Sequence, residues 1–350
     1  MNKVIAWVAG HVWETVSAVL GAGLLVSVGF LVAGAGEPEE EPVVATTTTT
    51  MATTTTPAPT STVPEVTPTT EPPEEEIPPG VSAVVVDNHP DARFQIGLAA
   101  ADLLVETPVE AGLSRFTAFF AAQPPDLVGP VRSLRPVSAD LLALFQPVVF
   151  ATGGQPFVTG AVSATGATIV TPDQSIAFQS LERPQPHHVF VSPSVDVPAG
   201  VEFPAPWQTG DWPGGDPASE IILPISGGVG WRFEDGAYVR YQETKPFQIQ
   251  STVDAEPEPL TRDTLIVMVA HQKSAGYVDS AGLEVPTFDV IGGGDLYLLH
   301  NGEVIEGTWF RPSQAEDYTF SGADDAVIPI PTGGQYWAIV PDGQPIDLGG

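Results

Sequence analysis

The 350-residue chain contains no cysteine. That absence removes disulfides, thiol catalysis, cysteine-ligated zinc and attachment through a lipidated cysteine together. Positive charge is scarce as well: 12 Lys and Arg stand against 43 Asp and Glu, a formal net charge of −31. Residues 1–36 are neutral overall, while 37–80 carry −9, 81–205 carry −6 and 206–350 carry −16. Every part beyond the N-terminus repels polyanions, so no nucleic-acid partner is expected, because such binding rests on neutralised phosphates. G-x-S-x-G, H-E-x-x-H, EF-hand and P-loop patterns are also missing. The common hydrolase and nucleotide signatures therefore name no reaction, and neither a cofactor nor a metal is assigned.

Only one long apolar run is present. Residues 15–35 are 21 positions without a charge, enough as a helix to span a hydrocarbon layer of about 30 Å. Lys3 precedes the run and Glu37 to Glu41 follow it, which keeps positive charge inside and the acidic remainder outside. Ala33-Gly34-Ala35 also fits a signal-peptide cleavage site, but the run exceeds a usual signal core, which favours an uncleaved single-pass anchor. Either reading places residues 81–350 outside the cytoplasmic membrane. Residues 37–80 hold 14 Thr, 10 Pro and nine Glu with no basic residue or aromatic. Such a segment buries too little to offset its ordering entropy and reads as a disordered, self-repelling stalk, suited to O-linked sugars or to serving as a bare linker.

Residues 81–205 alternate strand and helix signals. Residues 81–86 (VSAVVV) form a β-branched strand ended by the turn-rich DNHPD, Asp87 to Asp91. A helix is expected over residues 97–104, then a strand over 113–121, with Glu106 and Glu110 in the connection. Residues 127–131 are short and apolar. Pro136 opens a helix with Val137, Leu141, Leu144 and Phe145 on one face. GPVRSLRP, residues 129–136, therefore sets Arg132, Ser133 and Arg135 in a strand-to-helix loop. A strand over 148–151, a glycine loop and a helix from Pro156 repeat the pattern, with a further strand over 169–171. An α/β domain with a mixed sheet and short helices is the expectation, with two helix N-termini offering an anion pocket.

After a linker over 206–214, residues 215–347 carry hairpin signals at Asp235-Gly236 and Asn301-Gly302 and buried strands over 264–270 and 336–340. No long helix is expected, and the domain reads as mostly antiparallel β. Trp231, Tyr238, Trp309, Phe310 and Trp337 suit either a sugar-binding face or a core. Gly292-Gly293-Gly294 reads as a turn.

All five cations of residues 81–205 are arginines: Arg93, Arg115, Arg132, Arg135 and Arg183. Arginine suits bidentate pairing with phosphate or carboxylate. The same residues also suit internal pairing with Asp87, Asp102, Glu106 and Glu110. His187 and His188 are adjacent, so in an extended segment only one faces a given site. Hydrogen bonding of one imidazole to an anion is expected ahead of metal ligation.

In its motifs the chain resembles the bacterial YerB-like envelope lipoproteins, a two-domain family without an established function. The resemblance rests on VVVDNHPDARFQIGLAAADLLVETPVEAGLSRF, GPVRSLRP, ATGGQPF and RPQPHHVF in the first domain, and on NGEVIEGTWFRPS and GGQYWAIVP in the second. By position it implies functional roles for Asp87, Asn88, Arg93, Asp102, Glu106, Glu110, Arg115, Arg132, Ser133, Arg135, Arg183 and His187. The family's lipidated cysteine is replaced here by the apolar segment, and its Pro-His-Asn by Pro186-His187-His188. The order of elements is also similar to the LytR-CpsA-Psr phosphotransferases. That likeness implies Arg132 and Arg135 on a phosphate, with Asp87 or Asp102 holding magnesium for transfer from a polyprenyl-pyrophosphate-linked glycan.

Three readings follow. The expected one is a membrane-tethered extracytoplasmic protein that binds an anionic envelope ligand through its arginines and engages an envelope ligand or protein partner. The others are a phosphotransferase and a non-catalytic assembly factor.

Overall fold

The computed structural model describes residues 80–349 except 122–123, 176 and 194–202. The anchor and stalk expected over 1–79 lie outside the described residues. Among the described residues no helix is long and apolar enough to cross a membrane.

One 11-stranded sheet dominates. Its path strands are β1 (Ser82–Asp87), β2 (Leu103–Pro108), β3 (Ser114–Phe120), β4 (Val148–Phe150), β5 (Thr168–Val170), β6 (Thr264–Ala270), β7 (Gly292–His300), β8 (Glu303–Arg311), β9 (Thr319–Ser321) and β10 (Gln335–Pro341). The spatial order is β9-β8-β7-β6-β10-β2-β3-β1-β4-β5, with Asp216–Pro217 pairing with β8. β10 lies parallel to β6, Thr264 opposite Gln335, and parallel to β2, Gln335 opposite Leu103. The last strand of the second half thus joins the first half into one sheet. Gln95–Ile96 and Gln248–Gln250 form a second, smaller parallel contact between the halves.

Both faces of the sheet are covered, and successive side chains alternate between two cores. Leu103, Val105, Met268 and Trp337 enter one core, while Leu104, Val267, Tyr336 and Ala338 enter the other. That is why the interiors of β1, β6 and β10 are runs of apolar residues without polar alternation. A five-stranded antiparallel sheet, including Val229–Glu234 and Ala237–Gln242, contributes Trp231 and Tyr238 to the second core.

The hairpin expectations hold. Asp235 and Gly236, and Asn301 and Gly302, all take positive φ between paired strands, as tight hairpin turns require. The helix from Pro156 is α2 (Pro156–Ala164). Other expectations are corrected. Residues 97–104 form one 3-10 turn, Leu98–Ala100, and then enter β2, because Leu103 and Leu104 are needed on opposite buried faces. Glu106 is therefore in a strand, while Glu110 is in a 3-10 turn. The helix after Pro136 is a single short element, α1 (Ser138–Leu142), too brief for its N-terminus to count as an anion site. The β-rich half is less antiparallel than expected, since β6 and β10 run parallel. Gly292 to Gly294 open β7 instead of turning: a Cβ on Gly294 would lie 2.4 Å from the Val269 carbonyl oxygen and 2.7 Å from Trp309 Nε1. Trp231, Tyr238, Trp309 and Trp337 are core, and Phe310 alone of the five aromatics is exposed.

Candidate functional site

The segment around Val128 and Val131 assembles the site. Val131 bridges to Val86 of β1, and its N–H donates to Val189 O at 2.7 Å. Val128 bridges to Val191. The end of β1, the arginine loop and the loop before Val189–Val191 are thereby held side by side. Asp87, Arg132 and His187, far apart in the chain, meet there. Asp87 Oδ2 is 2.7 Å from His187 Nδ1 and 2.9 Å from Arg132 Nε. Its Oδ1 accepts the His89 N–H at 3.0 Å.

Beside this group, Glu110 holds two arginines. Arg115 Nη2 donates to Glu110 Oε1 at 3.0 Å, and Arg135 Nε to Oε2 at 2.8 Å, with Arg135 Nη2 also on Oε1. Arg115 Nη1 donates to Ser133 O at 2.8 Å, which ties the arginine loop to β3. Burial by itself would raise the Glu110 carboxyl. Hydrogen bonding from Arg135 and the charge of Arg115 outweigh burial and bring it down to about 2. Burial, and then the Arg135 charge, lower Arg115 to about 10. A cleft of about 220 Å³ opens here, lined by Asp87, His89, Arg115 and Arg132 on its polar side and Val109, Leu113 and Leu283 on its apolar side. Asp279 also lines it, but its Oδ1 accepts the N–H groups of Ala281 and Leu283 in its own turn.

The remaining sequence-predicted residues divide between other places. Asn88 points inward, donating to Glu106 Oε1 at 3.1 Å and Ser114 Oγ at 2.8 Å. Glu106 and Arg240, both fully buried, pair at 2.9 Å, and Tyr336 Oη donates to Glu106 Oε2 at 2.8 Å. Burial and then the Glu106 charge raise the Tyr336 hydroxyl strongly. Arg93 stacks on Phe247 on the far side of this network, and burial, then the like charge of Arg240, lower its pKa. Arg183 donates to Ala92 O at 3.0 Å and lies over Phe190, so it locks two loops together. Ser133 Oγ is 3.0 Å from Thr152 Oγ1. Asp102 sits at the opposite end of β2 from Glu110, where its Oδ2 accepts the Ala121 N–H at 2.7 Å. It does not support the arginines, and a magnesium role beside Arg132 does not fit its position.

Arg115, Arg132, Ser133, Arg135 and His187 therefore gather with Asp87 and Glu110, whereas Arg93, Asn88 and Arg183 do not line this cleft. Sequence reasoning missed His89, treated as turn chemistry, and Arg240. The latter carried a signal: in Ala237–Gln242 it shares the inward register of Tyr238, an arginine where alternation demands a buried residue.

Two family models match the chain in order, one described as "Protein of unknown function (DUF3048) N-terminal domain" over residues 66–199 and the other as its C-terminal domain over 226–337. The chain belongs to this YerB-like two-domain family. It is 27% identical over 279 residues to "Putative lipoprotein YerB" of Bacillus subtilis (strain 168), covering 74% of this chain and 81% of the relative. The crystal structure of YerB from Bacillus subtilis shares the fold, with a TM-score of 0.62 at 23% identity over 77% of this chain and 93% of that one. The resemblance read from the motifs is thus confirmed.

Proposed function

We propose that the protein is a cell-envelope protein, tethered by residues 15–35 with its folded part outside the membrane, which binds a small anionic group in the cleft beside Arg132. The lipoprotein name of its relative supports the envelope location. The observation that carries the binding reading is a charge imbalance. Three guanidinium groups, Arg115, Arg132 and Arg135, meet only two paired carboxylates, Asp87 and Glu110, and Arg132 remains a quarter exposed at the cleft. Arg115 and Arg135 are committed to Glu110, so Arg132 is the residue with donors to spare. Its Nε faces Asp87, and the rest of its planar fork suits a phosphate or carboxylate.

The experiment is calorimetric titration of the full chain in detergent with inorganic phosphate, pyrophosphate and a soluble dicarboxylate, repeated with Arg132→Ala. Binding of at least one anion by the parent and its loss in the variant is the expected result. No binding by the parent, or equal binding by the variant, overturns the reading in favour of internally paired arginines and an assembly role.

A further inference from the structure

The loop Asp87 to Asp91 and the loop before Val189 bring together two imidazoles and a carboxylate that neither stretch could assemble alone. One donor atom from each of His89, Asp91 and His187 lies within 4.8 Å of the others. His89 Nδ1 and Asp91 Oδ2 are 3.7 Å apart. His187 is buried and its Nδ1 edge is fixed 2.7 Å from Asp87 Oδ2. A carboxylate at Nδ1 places the ring proton there and leaves Nε2 with a free lone pair, which is how metal-binding histidines are commonly oriented. His188, its neighbour in sequence, is not part of the group.

We infer that His89, Asp91 and His187 form a site for a borderline divalent transition ion of the zinc(II) class, with Asp87 as the residue that orients His187. Two nitrogens and one carboxylate oxygen are the donor types such ions prefer, and three protein ligands leave a position open. Two donors each about 2.0–2.1 Å from one tetrahedral ion stand roughly 3.3 Å apart, so the present spacing needs only side-chain adjustment. The adjustment is specific. The rings of His89 and His187 are stacked, with centroids 4.9 Å apart and planes 20° apart, and parallel rings cannot both point at one ion in their planes. His187 is held by Asp87, so His89, about one-third exposed, is the ring that turns. Turning costs it the exposed hydrogen bond from the Asp91 N–H at 3.1 Å. Arg132 is the nearby cation, and Asp87 pairs with it at 2.9 Å.

The test uses the full chain in detergent, stripped with chelator and titrated with zinc(II), and separately with cobalt(II), whose visible absorption reports nitrogen and oxygen ligation. One ion per chain is expected. His89→Ala, at the more exposed of the two histidines, and His187→Ala should abolish binding. Asp87→Asn should weaken it by about 10–100-fold while leaving the stoichiometry, and His188→Ala should leave it unchanged. Circular dichroism of each variant checks that the fold is kept, and His89→Ala decides the matter if His187→Ala does not fold. Absence of zinc and cobalt binding by the parent chain overturns the inference, as does undiminished binding by folded His89→Ala. The result does not depend on the anion titrations, since metal uptake is read without any anion.

Discussion

Among the described residues three carboxylates are buried, Asp87, Glu106 and Glu110, and the two glutamates each hold a different part of the molecule. Glu110 neutralises Arg115 and Arg135, and removing one partner of a buried pair strands the other charge. Glu110→Gln should therefore lower the unfolding free energy by about 3 kcal/mol, read from the urea midpoint. The same carboxyl sets a pH dependence. Its folded-state value of about 2 lies below the unfolded one, so the unfolded chain takes up the proton first. The stability it contributes is complete above the unfolded carboxylate value of about 4.3 and is lost as pH falls towards 2. Unfolding free energy measured from pH 5 to pH 2 should fall steeply in the parent and less steeply in Glu110→Gln. Glu106 is the second such residue, accepting from Arg240, Tyr336, Asn88 and Ser114, the last at 2.5 Å. Glu106→Gln should cost about 3–5 kcal/mol, because Arg240 is left fully buried without a counter-charge.

Among the elements, the hairpin of β7 and β8 depends on glycines for space more than for backbone freedom. A Cβ on Gly307 would lie 2.2 Å from the Ser321 carbonyl oxygen, so β9 can approach β8 only when that position is bare. Gly307→Ala should cost about 1–3 kcal/mol by forcing the two strands apart. Gly230, also within a strand, makes a useful comparison, since its nearest neighbour is Tyr241 Cβ at 3.5 Å. Gly230→Ala should be neutral or stabilise by up to about 1 kcal/mol through the unfolded chain. Urea unfolding of both variants checks the contrast; equal losses would show that space is not the deciding factor. The arginine loop depends on its neighbours in the same way: short α1 gives it little, while Leu134 N–H donating to Gly153 O and Thr152 N–H to Arg132 O fix its path.

At the level of the whole molecule, β10 makes the two halves one sheet. Residues 81–205 expressed alone would leave β2 an unpaired, wholly buried-type edge, which invites aggregation. Thermal unfolding should accordingly be a single cooperative transition, with calorimetric and van't Hoff enthalpies in agreement. Two separated transitions would show that the halves are independently stable despite the shared sheet.

Some of this was already legible in the residues. The hairpins at Asp235-Gly236 and Asn301-Gly302, the strands β1, β3, β6 and β10, the helix from Pro156 and the loop position of Arg132 and Arg135 all follow from turn chemistry and alternation. These are interactions among residues close in the chain. The sequence by itself also determined the family motifs and the anion-suited residue types. Other features were settled only by tertiary structure. Residues 97–104 became a 3-10 turn and a strand because β2 is held between β3 and β10, which overrides local helix preference. The pairing of His187 with Asp87 and of Arg240 with Glu106 spans 100 and 134 residues. Such contacts depend on which sheet edges meet and in what register, and that is decided by long-range side-chain packing to which no local pattern responds.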